Sequence, residues 1–123
     1  DQRVTRLAHA FAERGIGFGD RVAVMMTNRI EVIESYLAAC RLGAVAVPVN
    51  FRLVADEIAY ILTDAGATVV VVDEGLAPLG AEAAGRVDAV AHCLVTGDAP
   101  STGVTIEGYE AAIAAASDAP IDV

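Results

Sequence analysis

Along residues 2–14 the apolar positions Val4, Leu7, Ala8 and Phe11 recur at helical spacing, with Arg3, Arg6, Glu13 and Arg14 largely on other faces, which predicts an amphipathic helix. Gly15 is a natural stop for it. Residues 21–26, RVAVMM, follow as an apolar run of buried-strand length. Asn28 stands three residues before Glu31, a variant of the reciprocal capping pattern. It predicts a helix through about Leu42, with Ile33, Leu37 and Cys40 on one stripe and Gly43 past its end. A second apolar run, Ala44 to Val49, carries Pro48 near its end, where a missing N–H costs least. Asp56 to Ala65 restores helical spacing through Ile58, Ile61, Leu62 and Ala65, and Gly66 closes it. In ATVVVVD at 67–73, four consecutive valines favour strand and the lack of polar alternation implies that both faces are covered. A weaker helix at about 76–86, a strand at about 90–95, a loop TGDAPSTG at 96–103 and an alanine-rich helix at about 106–116 complete the pattern.

Strands and helices alternate throughout, as a parallel sheet with crossover helices requires. The expected fold is a three-layer, Rossmann-like α/β domain with a mainly parallel sheet of about four strands, residues 1–123 forming one subdomain. Ligands in such sheets sit at the carboxyl ends of the strands. Here those are Thr27 to Arg29, Asn50 to Arg52 and Asp73 to Gly75. The glycine-rich stretch GIGFGDRV at 15–22 is different, because it follows a helix and precedes a strand. A phosphate cradle needs the reverse order, so that a helix N-terminus supplies donors; this stretch is expected to be only a turn.

Composition sharpens the picture in two respects. Of the 123 residues 55% are hydrophobic but only 5% aromatic, which suggests small-residue packing between helices and a sheet. The net charge of −9, with eight arginines and no lysine, argues against nucleic acid as a main partner, since phosphate contacts need cations. No apolar run reaches the roughly 18–20 residues of a membrane span, and no basic-then-apolar leader opens the chain, so a cytoplasmic location is expected.

Candidate chemistry is sparse. Cys40 and Cys93 are too few and too far apart for a disulfide framework or metal knuckle, and both are expected as reduced core residues. His92 and Cys93 are neighbours on a predicted strand and so point to opposite faces, which prevents them from sharing an ion. His9 has Thr5 and Glu13 one helical turn away but no further ligand, so no metal site is expected there either. The acidic pairs Asp56–Glu57 and Asp73–Glu74 stand where helices begin, and favour the helix dipole more simply than acid–base catalysis.

The order and spacing of several pieces across residues 19–74 carry a resemblance. They are Gly19-Asp20-Arg21-Val22-Ala23, an Asn28-centred turn into a helix, Leu42-Gly43-Ala44-Val45 leading into Val47-Pro48, Asn50 to Leu53, and Ala59-Tyr60-Ile61-Leu62. Together they resemble the N-terminal part of the adenylate-forming (AMP-binding) superfamily, most of all its fatty-acyl and other acyl-CoA ligases. The resemblance implies a parent enzyme that uses ATP and Mg2+ to activate a carboxylate as an acyl-adenylate, then passes the acyl group to coenzyme A. It also implies that the remaining domains of the parent are this segment's partners. The family's Ser/Thr/Gly-rich phosphate loop, ending in Pro-Lys, and its C-terminal lysine have no counterpart here, because the chain contains no lysine. No catalytic residue is therefore assigned, and the fragment alone is expected to be inactive.

By the same resemblance, the turn Asn50-Phe51-Arg52 lies beside the channel through which the CoA thiol approaches the adenylate, and these three are the candidate binding residues. The competing structural expectation is that Asn50 bonds the turn backbone and Arg52 is solvated. Acetyl-CoA-type relatives place arginines after the third strand, where this chain has Ala77 and Gly80, and Asp73 and Glu74 would repel a phosphate. Relatives usually begin the next helix with Ser or Thr where Val54 stands, a lost cap worth on the order of 1 kcal/mol. Two alternatives remain: an adenylation domain of a peptide-assembly system, which Asn50-Phe51-Arg52-Leu53 argues against, and a non-catalytic doubly wound binding module. The module predicts a finished polar surface, whereas a ligase segment predicts an apolar face that normally packs on missing partners.

Overall fold

The four valines at 69–72 run through the middle strand of a five-stranded sheet in which every pairing is parallel. The computed structural model describes residues 2–27, 30–96 and 106–121. Its elements in chain order are α1 (Gln2–Glu13), β1 (Arg21–Met25), α2 (Ile30–Arg41), β2 (Val45–Pro48), α3 (Ala55–Ala65), β3 (Ala67–Asp73), a 3-10 turn (Glu74–Leu76), α4 (Ala77–Ala84), β4 (His92–Thr96), β5 (Ile106–Gly108) and α5 (Tyr109–Ala115). The strand order β2-β1-β3-β4-β5 is doubly wound: the chain leaves β1 toward one edge and then returns to its other side.

Alternation along each strand splits the core into two layers. Val22, Val24, Val69, Val71 and Leu94 face α1, α2 and α5, while Ala23, Met25, Val70, Val72, Cys93 and Val95 face α3 and α4. The expected both-sided burial of the valine strand is thus met, and β1 and β3 are buried almost throughout. The predicted stops hold as well. Gly15, Gly43 and Gly66 adopt positive φ, and Gly66 N–H donates to the Leu62 and Thr63 carbonyls, as a left-handed helix cap should.

Three expectations need correction. The sheet has five strands rather than about four, because Ile106–Gly108 is not the start of the alanine-rich helix but a strand paired with β4, with the helix beginning at Tyr109. The stripe Ile33, Leu37 and Cys40 does not face the core: Ile33, Leu37 and Cys40 are exposed, and α2 turns Glu34, Ser35, Ala38 and Ala39 inward. Cys40 is therefore not a core residue, whereas Cys93 is fully buried, which pushes its thiol up to about 11. The capping role read for Asn28 and most of the loop at 96–103 fall outside the described residues.

Ionic ties hold the α1/α2/α5 layer together. Arg3 of α1 grips the Glu34 carboxylate of α2 with Nε at 2.6 Å and Nη2 at 3.1 Å, and Glu110 of α5 with Nη1 at 2.9 Å and Nη2 at 2.8 Å. The buried Tyr109 hydroxyl donates to Glu34 Oε1 at 2.8 Å. Further along, Arg14 donates to both oxygens of Glu107 on β5, at 2.7 and 3.1 Å, and His92 Nδ1 lies 2.7 Å from Glu107 Oε2.

At the start of α3, Val54 occupies the N-cap with extended backbone and offers no acceptor, while Glu57 reaches back to accept from Val54 N–H at 3.2 Å. Half of the reciprocal capping arrangement is present. Val54→Ser supplies the missing acceptor at an exposed position and is expected to stabilise the fold by about 0.5–1 kcal/mol. Thermal unfolding followed by circular dichroism checks this as a rise in Tm, and an unchanged or lowered Tm counts against the cap assignment.

Candidate functional site

The glycine-rich turn at 15–20 serves the sheet rather than a phosphate. Gly15 and Gly19 take φ of 89° and 80°, conformations that a side chain would disfavour. Gly17 N–H donates to Asp20 Oδ2 at 2.8 Å, Gly19 N–H to the Gly43 carbonyl at 2.9 Å, and Val45 N–H to the Asp20 carbonyl at 2.8 Å. The donors an anion would need are bonded to the turn's own aspartate and to the segment leading into β2.

The carboxyl ends of β1 and β3, where the winding reverses, are closed by a side chain. Asp73, only 4% exposed, accepts from both the backbone N–H and the hydroxyl of Thr27 at 3.0 Å, and from Leu76 N–H at 3.1 Å. Its carboxylate links β1, β3 and the 3-10 turn, so Asp73 is committed to holding this corner together. The exposed acid of the pair is Glu74. Ala77 and Gly80 are likewise buried. A Cβ on Gly80 would stand 2.7 Å from Val72 Cγ1, so this position meets the sheet and not a bound ligand. Asn28 and Arg29 of the first corner lie outside the described residues.

The remaining corner, after β2, holds the three candidate binding residues side by side. Asn50 Oδ1 accepts from Arg52 N–H at 2.9 Å and the Asn50 carbonyl accepts from Leu53 N–H at 3.3 Å, so asparagine shapes the turn as expected of its side chain. Phe51 is half-buried against the α3/α4 layer, and the Arg52 guanidinium lies over its ring, 5.8 Å from the centroid. This contact holds the exposed cation close to the protein surface at the carboxyl edge of the sheet. Alongside, Leu53, Asp56, Glu57, Tyr60 and Ile61 line an open depression of about 400 Å³ with an acidic rim. Arg52 is the group of this corner suited to an anion.

His92 is held by Glu107 and His9 Nε2–H donates to the Ala119 carbonyl at 2.8 Å, so each histidine is tied into the structure. Among the described residues no three His, Cys, Asp or Glu side chains gather as a metal site. Nor is any helix long and apolar enough to cross a membrane among those residues.

Residues 1–120 match the protein-family model described as "AMP-binding enzyme". The long-chain-fatty-acid–CoA ligase FadD13 of Mycobacterium tuberculosis is 45% identical over 74 residues, covering 60% of this chain and 15% of that protein. The 3-hydroxybenzoate–CoA/4-hydroxybenzoate–CoA ligase of Thauera aromatica is 30% identical over 129 residues, covering 100% of this chain and 25% of that protein. Among solved structures, a long-chain-fatty-acid CoA ligase from Rhodopseudomonas palustris superimposes with a TM-score of 0.81 at 34% identity, covering 98% of this chain and 29% of that one. The chain thus spans a quarter or less of the length of these two curated relatives.

Proposed function

The chain belongs to the AMP-binding enzyme family, and from that premise we propose that residues 1–123 are the opening α/β subdomain of a longer acyl-CoA ligase. That enzyme joins a carboxylic acid, a fatty acid in the first instance, to ATP with release of pyrophosphate. It then transfers the acyl group to the thiol of coenzyme A with release of AMP. The observation that carries the reading is the match over residues 1–120 together with relatives that are CoA ligases for both aliphatic and aromatic acids. Such a shared segment suits a part that supports chemistry common to all of them. A peptide-assembly adenylation domain and a non-catalytic module fit these relatives less well.

Within that enzyme the segment scaffolds the active site. The Mg2+ ion and the catalytic groups are assigned to the remainder of the parent, since the lysines of the family's phosphate loop and C-terminal domain have no counterpart in a chain without lysine. Binding of CoA is where this chain contributes. Arg52, steadied on Phe51 and presented by the Asn50 turn, meets the phosphates of CoA as they pass the carboxyl edge of the sheet. The cytoplasm, where ATP is at hand and thiols stay reduced, suits both the reaction and the two free cysteines.

Arg52→Ala in the full-length ligase is expected to raise KM for CoA by about threefold to tenfold, the loss of one exposed charge-assisted contact. Acid-dependent exchange of pyrophosphate into ATP, which needs no CoA, is expected to stay at the wild-type rate. An unchanged KM for CoA removes Arg52 from the CoA path, and a loss of exchange assigns it to the first half-reaction instead.

A further inference from the structure

The outward face of α2 carries large apolar side chains in an ordered row. Ile30 is 69% exposed, Ile33 59% and Leu37 50%, and Cys40 is exposed at the end of the row. Their spacing of three, four and three residues is that of the a and d positions of a coiled-coil seam, with Tyr36 beside it. Val45, at the start of the edge strand β2, and Phe18 are exposed apolar residues as well. A narrow seam of this kind accepts another helix by ridges-into-grooves packing, at an interaxial angle of about 20°.

We infer that this α2 seam is the docking face for a helix from the remainder of the parent ligase. The inference rests on the reading that a longer ligase exists. Two observations favour that occupant over a second copy of the chain. The relatives have 71–85% of their length outside the segment they share with it, the complement of the 15–29% covered, so ample chain is at hand to cover the seam. Each copy also carries a net charge of −9, which opposes bringing two together. The inward face agrees with this arrangement: α2 buries the small residues Ser35, Ala38 and Ala39 beside Glu34, while Ile30, Ile33 and Leu37 stand exposed on the other side.

Cys40 makes the seam testable, because the other cysteine, Cys93, is fully buried and serves as an unreactive control. In the full-length ligase, alkylation of Cys40 by N-ethylmaleimide is followed by peptide mass spectrometry, natively and in urea. Docking is expected to slow native alkylation by about 100-fold or more relative to the unfolded chain, independent of protein concentration, with Leu37→Glu speeding it by about tenfold. A native rate within about threefold of the unfolded rate overturns the inference, since the seam then stands open. Protection that is lost on dilution, with the mass of a dimer, overturns it in favour of a second copy. Thioester formation measured on the same preparation keeps the two readings apart. An active ligase with open Cys40 removes the docking alone, whereas an inactive protein with Cys40 protected removes the ligase reading alone.

Discussion

Glu34→Leu is expected to destabilise the fold by about 2–3 kcal/mol and to flatten the acid limb of its stability profile. The Glu34 side chain is 8% exposed, and it accepts from two nitrogens of Arg3 and from the buried Tyr109 hydroxyl. Arg3, half-exposed and still paired with Glu110, regains water when Glu34 goes, so most of the cost falls on the buried tyrosine hydroxyl, which loses its carboxylate acceptor. The Arg3 guanidinium, and after it the tyrosine hydroxyl, hold the Glu34 carboxyl below the usual value of 4.5 against the opposing effect of burial. Because the folded value is the lower one, the contribution is complete above about pH 4.5 and is lost as pH falls through the folded value. Glu107, lowered chiefly by Arg14 and then by His92, acts in the same direction. Tyr109 behaves oppositely: burial and then the Glu34 carboxylate raise its phenol well above 10, so stability is lost as pH climbs past 10. Urea titrations at several pH values check this. Tyr109→Phe added to Glu34→Leu is expected to recover part of the loss, since the buried phenol that lost its carboxylate acceptor is then gone. An acid limb identical in Glu34→Leu and wild type contradicts the assignment.

Gly80→Ala sets two effects against each other. Alanine is the better helix former by about 1 kcal/mol, so propensity alone predicts a more stable α4. Packing predicts the reverse, because the new Cβ would stand 2.7 Å from Val72 Cγ1 and 3.2 Å from Met25 Cε. Methionine is flexible and can give way, but Val72 is β-branched, stiff and fully buried in the central strand. Overpacking of this kind costs about 1–3 kcal/mol, enough to outweigh the propensity gain, and a net loss of about 1–2 kcal/mol is expected. Val72→Ala, combined with Gly80→Ala, is expected to show a favourable coupling of about 1 kcal/mol in a double-mutant cycle. A rise in stability for Gly80→Ala alone sinks the close-approach account.

Where one force dominated, the residues were enough to read the fold. Four valines in a row specified β3, and glycines at 15, 43 and 66 stopped helices because each takes a left-handed conformation there. The strand 106–108 was hidden because it is three residues long and runs straight into an alanine-rich helix, leaving periodicity too little length to act on. On α2, pattern reading chose the most apolar stripe as the inner one. That rule presumes a single apolar environment, and here the buried side of α2 takes small residues and Glu34 while the bulky row faces outward. Glu34 was missed for a related reason: a lone acid in a helix reads as solvated unless the cation that meets it, Arg3 of another helix, is known. Asn50 as a turn former followed from side-chain chemistry, whereas the stacking of Arg52 on Phe51 depends on rotamers that spacing does not encode.

The most direct test of the central claim is the reaction of the full-length protein with ATP, CoA and a panel of fatty and aromatic acids, with products resolved by mass. The ligase reading predicts acid-dependent pyrophosphate release and an acyl-CoA thioester formed in step with AMP. No thioester with any acid, or transfer of the acyl group to a carrier-protein thiol in place of free CoA, would contradict it.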